Sequence, residues 1–235
     1  MKRINLGWAA ATLTAALGFL ALSSAQTASP SAAPSLASSS TASPALKGNI
    51  ARGKVIADRD CSFCHGERGD IDDGETPRLA AQIAGFMTAQ LEAYRSGARK
   101  NEHMTPVAKN MTDANIADVS AFYSALAPAE PYPVQDAALN AAGQKLHLEG
   151  RLSGTTQADS VQACAVCHAV QGEGNAALEM PRLSAQTPKY LETRLKEYRQ
   201  TSSYSSASAN AMKIAAQKLT DADIVALSSY LSTLK

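Results

Sequence analysis

The chain of 235 residues carries 22 basic against 21 acidic side chains, and setting Lys2 and Arg3 aside with the leader leaves 20 against 21. A remainder so near neutrality, with no basic stripe, offers nucleic acid no electrostatic footprint and excludes it as an evident partner. All four cysteines fall in two Cys-x-x-Cys-His strings, so no thiol is left over.

In chain order, Lys2 and Arg3 precede an apolar run from Leu6 to Leu22 that closes on Ser23-Ser24-Ala25. Residues 1–25 therefore read as a secretory signal peptide with cleavage expected after Ala25; an uncleaved anchor or a nearby cut is the alternative. Residues 26–46 are almost entirely Ala, Ser, Thr and Pro, a composition too poor in large apolar side chains to offset the entropy of ordering it. They are expected to form a disordered tether able to hold the folded part at some distance from a membrane.

A first domain is expected over residues 47–127. A short helix from Ile50 to Asp60 leads into Cys61-Ser62-Phe63-Cys64-His65. This string is the signature of c-type haem attachment, because two thiols add to two vinyl groups while the adjacent imidazole meets the iron. Glu67, Asp70, Asp72, Asp73 and Glu75 follow as an acidic run opposed only by Arg68, a solvated loop without the spacing of a calcium-binding hand, yet able to bias which protein docks nearby. A carbonyl near Pro77, 12 residues after His65, is placed to accept the imidazole's second N–H, besides marking a turn before a helix. A middle helix carries Leu91 and Tyr94. The last begins at the N-cap Thr112 and sets Ile116, Val119, Phe122 and Leu126 at helical spacing.

Residues 128–133, with three prolines, form a stiff linker. Beyond it the pattern returns over residues 134–235. A helix from Leu139 to about Leu148 precedes Cys164-Ala165-Val166-Cys167-His168, Pro181 follows 13 residues later, and Thr220 opens a last helix with Ile224, Leu227, Leu231 and Leu234. Thr220 and Asp223 make an acidic variant of the capping box. Pro77-Arg78-Leu79-Ala80-Ala81-Gln82 reappears as Pro181-Arg182-Leu183-Ser184-Ala185-Gln186, and Leu91-Glu92-Ala93-Tyr94-Arg95 as Leu195-Lys196-Glu197-Tyr198-Arg199. The economical explanation is a duplicated all-α domain, each copy too small for a large core of its own and completed by a buried porphyrin. Gly53 and Gly143 cost about 1 kcal/mol of helix propensity, which a close crossing against Phe122 or Tyr123 and against Tyr230 would justify; helix fraying is the alternative.

A distal iron ligand is sought among the methionines, since a thioether opposite His raises the reduction potential. Met1 leaves with the leader, Met87 aligns with Leu191, Met111 with Leu219 and Met180 with Thr76. Only Met104 and Met212 coincide, and they are expected on the two irons. His103, beside Met104, is a rival ligand without a counterpart, since Ala211 stands at the matching position. His147 is expected to serve packing or solvation.

With these motifs the chain resembles the cytochrome c4 family. Residues 48–235 share its tandem CxxCH strings, the Pro-Arg-Leu-x-x-Gln and Leu-x-x-Tyr-Arg segments, and a late Met-x-x-x-Ala at Met104–Ala108 and Met212–Ala216. The resemblance implies two tandem class I cytochrome c domains and two covalently attached haems, held at Cys61, Cys64, Cys164 and Cys167. It also implies His/Met ligation through His65, Met104, His168 and Met212, and haems facing one another across the domain interface. Electron transfer in the periplasm follows, from a quinol-oxidising complex or dehydrogenase to an oxidase or reductase, with peripheral membrane association compatible. Extra residues around Arg151 to Gln162, and a longer loop from Ser202 to Asn210, depart from the first copy. A dehydrogenase's cytochrome subunit is the alternative function. A catalytic dihaem enzyme, such as a peroxidase, is disfavoured because both copies offer Met and no Cys is free.

Overall fold

The computed structural model describes residues 47–152, 160–202, 204 and 206–235; the expected signal peptide and tether lie outside them, as does most of the stretch inserted before the second haem motif. Ten helices make up the named elements among these residues. The first copy comprises α1 (Ile50–Asp60), α2 (Ser62–His65), α3 (Ala84–Ser96), α4 (Met104–Lys109) and α5 (Asp113–Ser124). The second comprises α6 (Ala137–Glu149), α7 (Ala165–His168), α8 (Pro188–Gln200), α9 (Ala207–Ala216) and α10 (Asp221–Ser232). Two isolated bridges, Arg151 with Val161 and Asn175 with Met180, are the extended pairings. No helix among the described residues is long and apolar enough to cross a membrane.

Three principal helices per copy were expected, and each copy has five among the described residues. The additional α2 and α7 are single turns made by the haem motifs themselves. The other additions, α4 and α9, carry the candidate methionines, and both are too short or too weakly patterned to stand out by periodicity. Part of the longer loop expected from Ser202 to Asn210 is helical, since α9 begins at Ala207 with Ser206 as its N-cap.

Each copy is organised by the crossing of its first and last helices. A Cβ added at Gly53 would lie 2.0 Å from the Asp118 carbonyl oxygen and 2.8 Å from Phe122 Cβ; at Gly143 it would lie 2.0 Å from the Ala226 carbonyl oxygen and 2.7 Å from Tyr230 Cβ. Both glycines are thus demanded by close approach of backbone to backbone, and Phe122 corresponds to Tyr230. Below each crossing lies a small core. One gathers Ile56, Met87, Met111, Ile116, Val119 and Phe122, the other Leu146, Leu191, Leu219, Ile224, Leu227 and Tyr230. Met87 and Leu191, and likewise Met111 and Leu219, fill matching core positions.

The Leu-x-x-Tyr-Arg repeats tie the middle helix to the start of the last. Arg95 donates to the Met111 carbonyl at 2.9 Å and to Asp113 at 2.6 Å, while Arg199 donates to the Leu219 carbonyl at 3.0 Å and to Asp221 at 2.5 Å. Thr112 and Thr220 cap α5 and α10 as expected, with a complete capping box at Thr220 and Asp223.

Asp118 is buried where α5 meets α1 and accepts from Arg52 Nε at 2.6 Å, Arg52 Nη2 at 3.0 Å and the Asn49 amide at 2.6 Å. The Arg52 hydrogen bond holds its carboxyl below the usual carboxylate range. A depressed folded-state pKa stabilises above the unfolded value, about 3.9, and that stabilisation is lost as pH falls through the folded one. Asp118→Asn should therefore destabilise the first copy by about 1 kcal/mol at pH 7. It should also flatten the acid limb of stability below about pH 4, read by denaturant titration across pH. Gly53→Ala should cost about 3 kcal/mol, because the methyl meets backbone that cannot be displaced without parting α1 from α5; thermal unfolding of the haem-loaded protein measures it.

Candidate functional site

The two haem motifs fold alike. In the first, the amides of Cys64 and His65 donate to the Cys61 carbonyl at 3.2 and 2.9 Å; in the second, those of Cys167 and His168 donate to the Cys164 carbonyl at 3.2 and 2.9 Å. This single turn sets both thiols and the imidazole on one short stretch of backbone. Cys61 and Cys164 are half-buried, Cys64 and Cys167 exposed, and none is in a disulfide. Burial pushes the Cys61 and Cys164 thiols up to about 11, so in the bare polypeptide they are protonated at neutral pH.

Both imidazoles are buried, with 6% of His65 and 3% of His168 exposed. His65 Nδ1 lies 2.9 Å from the Pro77 carbonyl oxygen, and His168 Nδ1 lies 2.9 Å from that of Pro181. A carbonyl accepts only, so Nδ1 carries the proton in each ring. Burial lowers both pKa values against the opposing effect of these hydrogen bonds, leaving the rings neutral with a lone pair on Nε2. His168 Nε2 is buried with no hydrogen-bond partner. An orphaned, neutral, oriented imidazole nitrogen beside two cysteines fits an axial position on a covalently attached haem.

Met104 opens α4, where its amide donates to Asn101 Oδ1 at 2.9 Å, and Met212 lies within α9; both are half-buried and belong to neither core cluster. That separates them from the core-filling Met87 and Met111. Met180 is half-buried at the bridge to Asn175. His103 is exposed, immediately before α4.

His147 is fully buried and not solvated. Its Nε2 donates to the carbonyls of Ala169 and Val170 at 3.0 and 3.1 Å, just beyond the second haem motif. Counting from the crossing glycines, His147 takes the place of Ala57, while Tyr123 takes the place of Leu231. The crossing thus sets Ala57 with Tyr123 in the first copy and His147 with Leu231 in the second, the polar ring coming from opposite helices. The only sequence signal for this was the shared four-residue spacing from Gly53 and Gly143.

The repeated Pro-Arg-Leu-x-x-Gln segments form the contact between the copies, a role their sequence did not disclose. Gln186 Oε1 accepts the Arg78 amide at 2.8 Å while its Nε2 donates to the Arg78 carbonyl at 3.0 Å. Reciprocally, Gln82 Oε1 accepts the Arg182 amide at 2.7 Å and its Nε2 donates to the Arg182 carbonyl at 3.0 Å. The Arg78 side chain donates to the carbonyls of Ala185 (2.8 Å), Glu130 (2.9 Å) and Ile71 (3.1 Å), and its guanidinium lies 4.4 Å over the Tyr132 ring. Arg182 Nε donates to the Ala81 carbonyl at 3.2 Å and Nη1 to Ser184 Oγ at 2.6 Å. Arg78 also comes within 3.9 Å of Asp72, so the acidic run is opposed by more than Arg68.

A sequence model of the cytochrome c family matches residues 50–126 and 153–235. Cytochrome c4 of Thiocapsa roseopersicina is 32% identical over 188 residues, covering 80% of this chain and 93% of its own. A thiosulfate dehydrogenase electron acceptor of Thiomonas intermedia (strain K12) is 29% identical over 174 residues, covering 73% of this chain and 77% of its own. The crystal structure of reduced recombinant cytochrome c4 from Pseudomonas stutzeri superposes with a TM-score of 0.70 at 28% identity, covering 80% of this chain and all of that one.

Arg78→Leu should leave three carbonyls without their donor and weaken the contact between copies by about 3 kcal/mol. Calorimetry of the haem-loaded protein should then resolve two thermal transitions where the parent shows one.

Proposed function

We propose that this chain, which belongs to the cytochrome c4 family and is an electron-transfer protein with two covalently attached c-type haems, holds one haem through Cys61 and Cys64 with His65 on its iron. The other is held through Cys164 and Cys167 with His168. Met104 and Met212 would each supply a thioether to one of the two irons. The observation that carries the assignment is the matched pair of buried imidazoles, each committed at Nδ1 to a proline carbonyl and left with only Nε2 to offer. The two domains span residues 47–127 and 134–235 with the proline-rich segment 128–133 between them, behind a signal peptide (1–25) and tether (26–46) that deliver the protein to the periplasm.

A bound haem supplies a one-electron iron couple, and the chain's residues set its terms. Cys61, Cys64, Cys164 and Cys167 fix position covalently. Pro77 and Pro181 hold the tautomer and orientation of the imidazoles and raise their basicity as ligands. Met104 and Met212 favour the reduced form by thioether ligation. With His65 and Met104 holding one iron and His168 and Met212 the other, the bound haems would serve to pass single electrons between redox proteins. The donor is a quinol-oxidising complex or a dehydrogenase, and the acceptor an oxidase or reductase.

A second reading is the electron-accepting subunit of a dehydrogenase, favoured by the resemblance to the electron acceptor of a thiosulfate dehydrogenase. Stable copurification with a dehydrogenase selects the second reading. Isolation as a free protein rapidly oxidised by membranes selects the first.

Met104→Ala and Met212→Ala should each retain two covalent haems and lower one midpoint potential by about 0.1 V or more, within the ~0.8 V that axial ligation spans. An unchanged spectroelectrochemical titration for either variant would remove that methionine from the iron. Replacing Cys61 and Cys64 together by Ser should halve the haem-to-polypeptide ratio, measured by pyridine haemochrome; a ratio still at two would contradict the attachment site.

A further inference from the structure

The peptide group joining Pro77 to Arg78 is hydrogen-bonded at both ends, and the two partners belong to different copies of the repeat. Its carbonyl oxygen lies 2.9 Å from His65 Nδ1, and its N–H donates to Gln186 Oε1 at 2.8 Å. The peptide joining Pro181 to Arg182 does the same, with His168 Nδ1 at 2.9 Å and Gln82 Oε1 at 2.7 Å. Gln82 and Gln186 are 7% and 5% exposed, so water does not compete for these bonds. Each carboxamide is itself pinned: Gln186 Oε1 also accepts the Thr187 amide at 3.0 Å, and Gln82 Oε1 the Ile83 amide at 2.9 Å. The residues just before them, Ala81 and Ala185, sit at φ 57° and 55°, a left-handed conformation costly for alanine. The chain spends that strain twice, at the step that turns each glutamine toward the other copy.

We propose that Gln186 and Gln82 are positioning residues that tune the haem of the opposite domain, each acting through one Pro–Arg peptide group on the proximal histidine across the interface. The inference rests on the assignment of His65 and His168 to the irons. Peptide resonance couples N–H to C=O, so an acceptor on the N–H builds negative charge on the oxygen, and in a low-dielectric setting consecutive hydrogen bonds strengthen one another. A better acceptor at Nδ1–H makes the imidazole a more basic ligand and favours the ferric state. Gln186 therefore lowers the potential of the haem on Cys61 and Cys64, and Gln82 lowers that of the haem on Cys164 and Cys167.

The test is redox titration of the full haem-loaded chain, with each wave assigned to its domain by nuclear Overhauser contacts from the haem methyls. Gln186→Leu should raise the first-domain midpoint two- to tenfold in the ferrous/ferric ratio, about 18 to 59 mV at 59 mV per decade, and leave the second in place. Gln82→Leu should do the reverse. Gln186→Glu keeps an oxygen on the Arg78 N–H and should leave the first midpoint at or below its parent value. A glutamine that merely held the interface would, when lost, admit water to both haems and lower both midpoints. That result, a shift confined to the variant's own domain, an unchanged pair of midpoints, or a rise in the Gln186→Glu protein overturns the proposal. The ligand assignment is checked separately on the ferric parent, where the exchangeable ring N–H of His65 and of His168 should be hyperfine-shifted. Without those signals the ligand assignment fails, and with it the inference; with them, the Leu variants decide the relay alone.

Discussion

Two peptide groups, one between Pro77 and Arg78 and one between Pro181 and Arg182, carry more of this structure than any core residue. Each accepts from a buried imidazole on one side and donates to a glutamine of the other copy on the other. Proline lacks an N–H of its own but leaves its carbonyl free to accept from the imidazole. The following arginine then spans the interface. Because each core is small, polar satisfaction at this seam matters as much as apolar burial in keeping two halves together. The left-handed alanines show that the backbone is bent at a cost to achieve it.

Around this symmetric seam the two copies are not equivalent. The first ties α1 to α5 through Asp118 and Arg52, whereas the second has Ala226 at the crossing and places its ion pair between Arg151 and Asp223 at 2.5 Å. Asp223 is held below the usual carboxylate range despite burial, by Arg151 and Thr220. The polar ring beside each haem motif also comes from opposite helices: Tyr123 from α5 in one, His147 from α6 in the other. Tyr123 places a buried hydroxyl beside the Cys61 thiol, while His147 Nε2 donates to two carbonyls just past His168. Two chemically alike sites therefore sit in unlike polar surroundings, the condition under which two iron couples acquire different potentials.

Much of this was legible in the residues because the chemistry is local. Cys61 to His65 and Cys164 to His168 are contiguous, so bringing two thiols and an imidazole together requires nothing beyond one helical turn. The duplication supplied an internal comparison that separated Met104 and Met212 from Met87 and Met111, whose partners in the other copy are leucines. Thr112, Thr220, Gly53 and Gly143 spoke through capping and steric rules that act over a few residues. The short helices α4 and α9 escaped because six to ten residues give periodicity too little to work with, and His147 because burial is a property of what surrounds a side chain.

The amino-acid order by itself determined that there are two haem-binding turns, that each has a methionine in register with the other's, and that the chain is an all-α duplication. Tertiary structure alone decided how the halves meet. Gln82 and Arg182 are 100 residues apart, as are no partners that spacing or composition could couple, and nothing in Pro-Arg-Leu-x-x-Gln says whether its glutamine turns inward, outward or across. That choice depends on a left-handed backbone step and on a facing peptide group supplied by the other copy. Both exist only once the two halves are folded against one another.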